Sequence, residues 1–341
     1  MKNQHVLRLA ILLALFTSCG QAFEPEPANT PEANFESLWK TYHERYAVFE
    51  QRGVDWDEVY ETYRPLIGAN SSESDLFEIA TDMLAVLDDA HVSLMATDRP
   101  FWAGKATFRS QTGSELFSYD LVRSYLDGPP AVYYNRYAAG KIQSDIGYLW
   151  VASLEEERPD FIDDFIADNA TSEGIIIDLR HNDGGDFTHG AMIASRFADE
   201  RRLAFTNAPK TGPGKDEFGE RYEYYLEPRG AVQFTGPVVV LINDYSVSAA
   251  ESLAMYLMTL PHVTFIGVNS AGAVGERIEK EMPNGWIFSL TAQLVTLPDG
   301  TSPERSGISP DFQVTNSAEA MERGVDSQLG AAIEHLRTGM N

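Results

Sequence analysis

The sequence predicts an α/β protein with a mostly parallel sheet, preceded by a small helical domain. Three observations carry this. Two short apolar runs rich in Ile and Val lie within GIIIDLRHNDGG (174–185) and VVVLINDYSVSAAE (238–251). Each stops abruptly in small and polar residues before a helical pattern begins, which suits strands buried on both faces of a parallel sheet. Upstream, residues 35–87 carry apolar side chains at helical spacing.

The chain begins with Lys2 and Arg8, an apolar run LAILLALF (9–16) and then Thr17-Ser18-Cys19-Gly20. This reads as a secretory signal over 1–18, too short for a permanent span of about 20 residues. Cys19, the only cysteine, stands where a bacterial lipoprotein signal places its lipidated residue, with Phe16 replacing the usual Leu. The alternative is an ordinary signal peptide with Cys19 incidental. Residues 19–34, rich in Pro and Glu, read as a flexible tether. The expected location is the cell envelope or periplasm of a bacterium, with membrane attachment only through the lipid.

Residues 35–95 read as the helical domain. Its helices are expected over 35–52, 55–67 and 75–87, the last capped by Ser74. Residues 96–341 form the core. Short strands are expected over 100–140, a strand at 145–154 and a helix at 161–169. The two strand–turn–helix units follow, then a strand at 263–268, a Gly-rich turn, strands near 286–297 and a helix over 317–338. The length, 341 residues, fits roughly two domains at about 150 residues each.

A formal charge of −25 disfavours nucleic acid and anionic membrane surfaces as partners. One cysteine excludes thiolate metal sites. H-E-x-x-H, G-x-S-x-G, P-loop and dinucleotide patterns are absent. No metal or cofactor is called for.

The residues left for chemistry suit acyl transfer. Ser248 opens a helix, where the backbone field favours a neighbouring oxyanion, and the amide of Ala249 points the same way. Ser248 and Glu251 also form an S-x-x-E capping box, a purely structural device. Gly184 and Gly185 are free to turn an amide toward a substrate carbonyl, or are only a tight turn. A serine nucleophile needs a base. His91, among Asp88, Asp89 and Ser93, is one candidate, its neighbours able to hold its tautomer and raise its basicity; His181 and His189 flank the glycine turn.

Taken together, DDAHVSL (88–94), IGYLWVASL (146–154), GIIIDLRHNDGG, SVSAAE (246–251) and PERSGISPD (303–311) resemble the C-terminal processing (tail-specific) protease family. The likeness is to its tricorn-core-like and retinoid-binding-protein-like branch. GVDWDEVYETYRP (53–65) resembles the helical N-terminal region of bacterial members. The resemblance covers most of the chain, in order. It implies a crotonase-like core of spiral ββα units and a nucleophile at Ser248. It puts the base at His91, oxyanion amides at Gly184 or Gly185 and at Ala249, and an acidic member at Glu304. Asp89 and Ser93 are possible supports. Two departures stand out. The lysine of the family's Ser–Lys branch is replaced by Ala273, with Lys280 too far along to substitute. The serine that tricorn-like members carry before the histidine is Ala90. The stretch between His91 and residue 146 is also too short for a PDZ domain. The expectation is a serine endopeptidase acting on exported proteins or peptides through a Ser–His–Glu site. A degenerate site that binds a peptide or apolar ligand, or a hydrolase of non-peptide esters, are the alternatives.

Overall fold

A computed structural model describes residues 28–155 and 158–339. The expected signal (1–18), Cys19 and most of the tether lie outside them. Thr30 caps the first helix, Pro31–Arg45, so helix begins inside the expected tether; the fixed φ of Pro31 suits a first helical position. The pattern over 35–52 is not one helix. The chain leaves helical geometry after Arg45 and makes a single turn, Phe49–Arg52, which Gly53 closes at φ 67°. Asp55 caps Trp56–Tyr63. Ser72, not Ser74, caps Glu73–Ala85, because Asp75 reciprocates by accepting from the Ser72 amide at 2.8 Å.

Strands run Ser93–Met95 (β1), Trp102–Ala103 (β2), Ala131–Tyr133 (β3), Tyr137–Ile142 (β4), Ile146–Val151 (β5), Gly174–Asp178 (β6), Arg202–Pro209 (β7), Tyr222–Leu226 (β8), Val238–Ile242 (β9), Val263–Gly267 (β10), Arg277–Glu281 (β11), Ile287–Thr291 (β12), Gln293–Thr296 (β13) and Phe312–Gln313 (β14). Residues 100–140 also hold two short helices, Ala106–Ser110 and Tyr119–Arg123, and the expected terminal helix is two, Ala318–Glu322 and Ser327–Thr338. Gly324, at φ 79°, lies in the break.

The central sheet has the order β14-β10-β9-β6-β5-β4-β3. Strands β5, β6, β9, β10 and β14 are parallel, with β4 and β3 antiparallel at one edge. Every residue of β6 and β9 is buried. Ile175, Ile177, Val238 and Val240 pack with the helices Ile162–Asp168, Phe187–Ala194 and Ala249–Leu257. Their neighbours Ile176, Val239 and Leu241 pack against Leu329 and Ala332 of the last helix. Strand side chains alternate faces, so a sheet covered on both sides needs the unbroken apolar runs seen in the sequence.

The N-terminal helices do not own a separate core. Phe35, Leu38, Tyr42 and Leu84 pack with Trp286, Phe288 and Leu290, and the Tyr42 hydroxyl donates to the Ser289 carbonyl at 2.7 Å. Strands β11-β12-β1-β2 form an antiparallel sheet beneath them, so a boundary at residue 95 would cut through paired strands. A third sheet, β13-β7-β8, includes two strands the sequence did not signal. Inward residues of β7 do not alternate cleanly, which hides its period.

Arg180, just past β6, is fully buried. It pairs with Asp178 at 2.6 Å and with Asp326, the cap of the last helix, at 2.9 Å. Arg180→Ala leaves two buried carboxylates without their cation. The expected loss is about 3–5 kcal/mol of unfolding free energy, read by urea denaturation.

Candidate active site

The parallel pairing of β6 with β9 sets two turns side by side, and hydrogen bonds stitch them together. Ser246 Oγ donates to the Leu179 carbonyl at 2.8 Å, the Val247 amide to the Asn182 carbonyl at 3.1 Å, and the His181 amide to Asn243 Oδ1 at 3.1 Å. Asn182 then shapes the glycine turn: its Nδ2 donates to the Val151 carbonyl at 2.7 Å and its Oδ1 accepts from the Gly184 amide at 2.8 Å. Gly184 has φ 89°, and a Cβ there would lie 2.9 Å from Ser248 Cβ. Gly185 has φ 130°, and its Cβ would meet the Leu154 backbone at 2.4 Å. Neither position admits a side chain. The Gly184 amide is already engaged. Among the described residues, the Gly185 and Ala249 amides have no hydrogen-bond partner.

Ser248 sits at φ 61°, ψ −115°. Ordinary helix caps are extended, so this backbone is strained in the manner of residues held for function. Glu251 holds it. One carboxylate oxygen accepts from the amides of Ser248 at 3.1 Å and Ala273 at 3.0 Å; the other accepts from Ser270 Oγ at 2.6 Å and the Gly272 amide at 2.8 Å. Burial raises its pKa against these bonds.

His91 and Ser248 open on one cleft of about 690 Å³, which Ala249, Gly185 and Gly275 also line. His91 is buried, and burial first, then Arg277 and Arg52, lower its pKa to about 4 against the pull of Asp89. The imidazole is therefore neutral near pH 7. Asp89 and Ser93 do not hold the ring as expected. Asp89 Oδ1 accepts from the His91 main-chain amide at 2.8 Å, and Ser93 Oγ pairs with Ser289 Oγ at 2.6 Å. The basicity the sequence suggested is reversed because desolvation outweighs the carboxylate. His91 Nδ1 has no partner among the described residues.

Glu304 stands behind the cleft. Its Oε1 accepts from the amides of Gly275 at 2.7 Å and Val274 at 3.1 Å, and its Oε2 from Arg52 at 3.0 Å. Burial, then Asp89, push its pKa up to about 8, against Arg52. Its link to His91 runs through the Gly275 main chain, which also faces that ring. The other candidates serve elsewhere. His181 is sandwiched between Phe117 and Tyr245, and His189 Nδ1 bonds the Leu154 carbonyl at 2.8 Å. Lys280 is exposed on β11, and Ala273 is buried with Val247 and Ala271. Sequence reasoning missed Arg52, and saw Glu251 only as a cap. Asn182 was visible within D-L-R-x-N, but without a role.

The profile of peptidase family S41 matches residues 145–314, and that of the tricorn protease C1 domain matches 27–85. A carboxy-terminal-processing protease of Bartonella bacilliformis is 27% identical over 196 residues, 56% of this chain and 43% of that protein. The tricorn protease of Thermoplasma volcanium is 27% identical over 167 residues, 48% of this chain and 15% of that protein. The chain thus spans less than half the length of these relatives. A crystal structure of a putative peptidase from Parabacteroides merdae is 30% identical, with a TM-score of 0.83 over 91% of this chain and 97% of that one. Mature CPAF complexed with lactacystin shares the fold at a TM-score of 0.71 and 13% identity, covering 92% and 99%.

Glu251→Ala strips the acceptor from three amides and a hydroxyl in a buried turn. It is expected to cost at least about 3 kcal/mol in denaturant unfolding, because each such bond to a charged group contributes about 1.5–3 kcal/mol.

Proposed function

The chain belongs to peptidase family S41, and from that premise we propose that it is a serine peptidase acting on proteins or peptides exported from a bacterial cytoplasm. The observation that carries this reading is the shared cleft. A strained serine, a neutral histidine and two unpartnered amides line it together. Ser248 Oγ attacks a peptide carbonyl carbon while His91 takes its proton. The amides of Ala249 and Gly185 receive the developing oxyanion; Gly184 shapes the turn and brings its own amide to Asn182. His91 returns the proton to the departing amine, and water then attacks the acyl-enzyme by the same route. Glu304 acts at one remove, fixing the Gly275 main chain beside the base.

The reading includes a crotonase-like arrangement of the core and a Ser–His–Glu site rather than a Ser–Lys dyad, since Ala273 carries no amine. It also includes export under the residue 1–18 signal and a lipid anchor at Cys19, supported by the basic start and apolar run before it.

The test is cleavage of a mixed peptide pool by the mature protein, read by mass spectrometry. Wild type is expected to cut. Ser248→Ala and His91→Ala are expected to fall at least about 1,000-fold. A wild type that binds peptides and leaves them intact would instead support the degenerate binding site. The pH profile supplies a second check. A base must be unprotonated to work, and the His91 pKa is lowered to about 4. Activity in kcat/KM is therefore expected to persist through pH 5–6 and to fall only as pH drops through about 4. An acid limb near 6.5, the ordinary histidine value, would contradict an occluded His91 as base.

A further inference from the structure

We propose that Arg52 is a positioning residue for the catalytic base, its guanidinium locking the loop that carries His91 to the loop that carries Gly275 and to Glu304. This rests on the peptidase reading and goes beyond it.

Arg52 comes from the single helical turn Phe49–Arg52, far from the cleft residues in sequence. It is nevertheless only 3% exposed. Nη1 donates to the Asp88 carbonyl at 2.8 Å. Nη2 donates to the Gly272 carbonyl at 2.6 Å and to Glu304 Oε2 at 3.0 Å, and lies 3.3 Å from Asp89 Oδ1. Four acceptors on three separate loops therefore meet one planar cation. Each acceptor is tied to the site. Asp88 and Asp89 precede His91, and Asp89 also accepts from the His91 amide. Gly272 lies in the turn that Glu251 bonds beside Ser248. Glu304 holds the amide of Gly275, which lines the cleft.

The same sequence turn grips Arg52 twice. Glu304 takes its guanidinium, and the neighbouring Arg305 donates to its main-chain carbonyl. Tyr46 and Thr291 hydroxyls donate to Asp89 Oδ2 at 2.8 and 2.7 Å, fixing the carboxylate from the other side. A lysine has one compact ammonium and lacks the fork that reaches this set of acceptors. A helix in the N-terminal region thereby sets the position of a base on a different segment.

The charged and titratable groups around His91 are Asp89 on its own loop, Arg52 on the helical turn, and Arg277 on β11; Tyr42, Tyr46 and Glu304 face Asp89. Removing the Arg52 cation removes one influence that lowers the His91 pKa, so its titration midpoint should rise.

The experiment compares Arg52→Gln and Arg52→Lys in the full mature protein. It reads kcat and KM against pH, the melting temperature, and the His91 midpoint by NMR in a Ser248→Ala background. Folded Arg52→Gln is expected to lose about 100-fold in kcat, the scale of a small misplacement of a reacting group. KM should stay within about threefold, and the His91 midpoint should move up. Arg52→Lys is expected to recover only part of kcat. An unchanged kcat, or a loss of kcat with the His91 midpoint unmoved, would overturn the proposal. If Arg52→Gln does not fold, Arg52→Lys, which keeps the charge and loses the fork, decides on kcat: a wild-type kcat overturns it, and a lowered kcat at unchanged KM and melting temperature supports it. Absence of Ser248-dependent cleavage in wild type would defeat the peptidase reading, yet the His91 midpoints would still decide the role of Arg52.

Discussion

Everything at the cleft depends on the register between β6 and β9. Ile175 faces Val238 and Asp178 faces Leu241, so the two strands end level with each other. That alignment lets Asn182, Leu179 and Asn243 stitch the glycine turn to the turn carrying Ser248. Parallel pairing in an α/β sheet puts loops with chemistry at the carboxyl ends of the strands. Here it brings a backbone amide, at Gly185, and a hydroxyl, at Ser248, into one cleft. The absence of a Cβ at Gly184 is what permits the approach: any side chain there would press on Ser248.

Behind the cleft the chain buries three carboxylates, Asp89, Glu251 and Glu304. Burying a charge is costly unless it is paired or hydrogen-bonded. Each carboxylate is bonded to main-chain amides, and each of those amides belongs to a loop that shapes the site. These bonds fix backbone geometry, and the pull of Asp89 on the imidazole is outweighed by burial. His91 is left neutral in a desolvated niche, its ring unprotonated but of lowered basicity. Among the described residues, the guanidinium that reaches two of these carboxylates, Arg52, comes from the N-terminal helices. Those helices also share a core with β12, so the helical region and the sheet beneath it form one packed unit.

Much of the architecture was legible because burial leaves a simple trace. The runs at 174–178 and 238–242 are apolar throughout since both faces of the sheet are covered, and the turns after them announce themselves through Gly184, Gly185 and Ser248. Helix boundaries were less legible. Ser74 is the expected cap until Asp75 is seen to reciprocate with Ser72. The shared core of the helical region was hidden because its partners, Trp286 and Phe288, lie some two hundred residues downstream. Asp89 looked like a partner for the histidine ring, but proximity in sequence does not say which atom of His91 it meets. Arg52 gave no signal at all: a cation at the end of the helix expected over 35–52 reads as a solvated one, and only the fold buries it.

The most direct test of the account is covalent trapping with an alkyl fluorophosphonate, read by intact mass and peptide mapping. The structure predicts one adduct, on Ser248, formed at an undiminished rate down to about pH 5 and lost in His91→Ala. An adduct on another serine, or none while the protein remains folded, would contradict it.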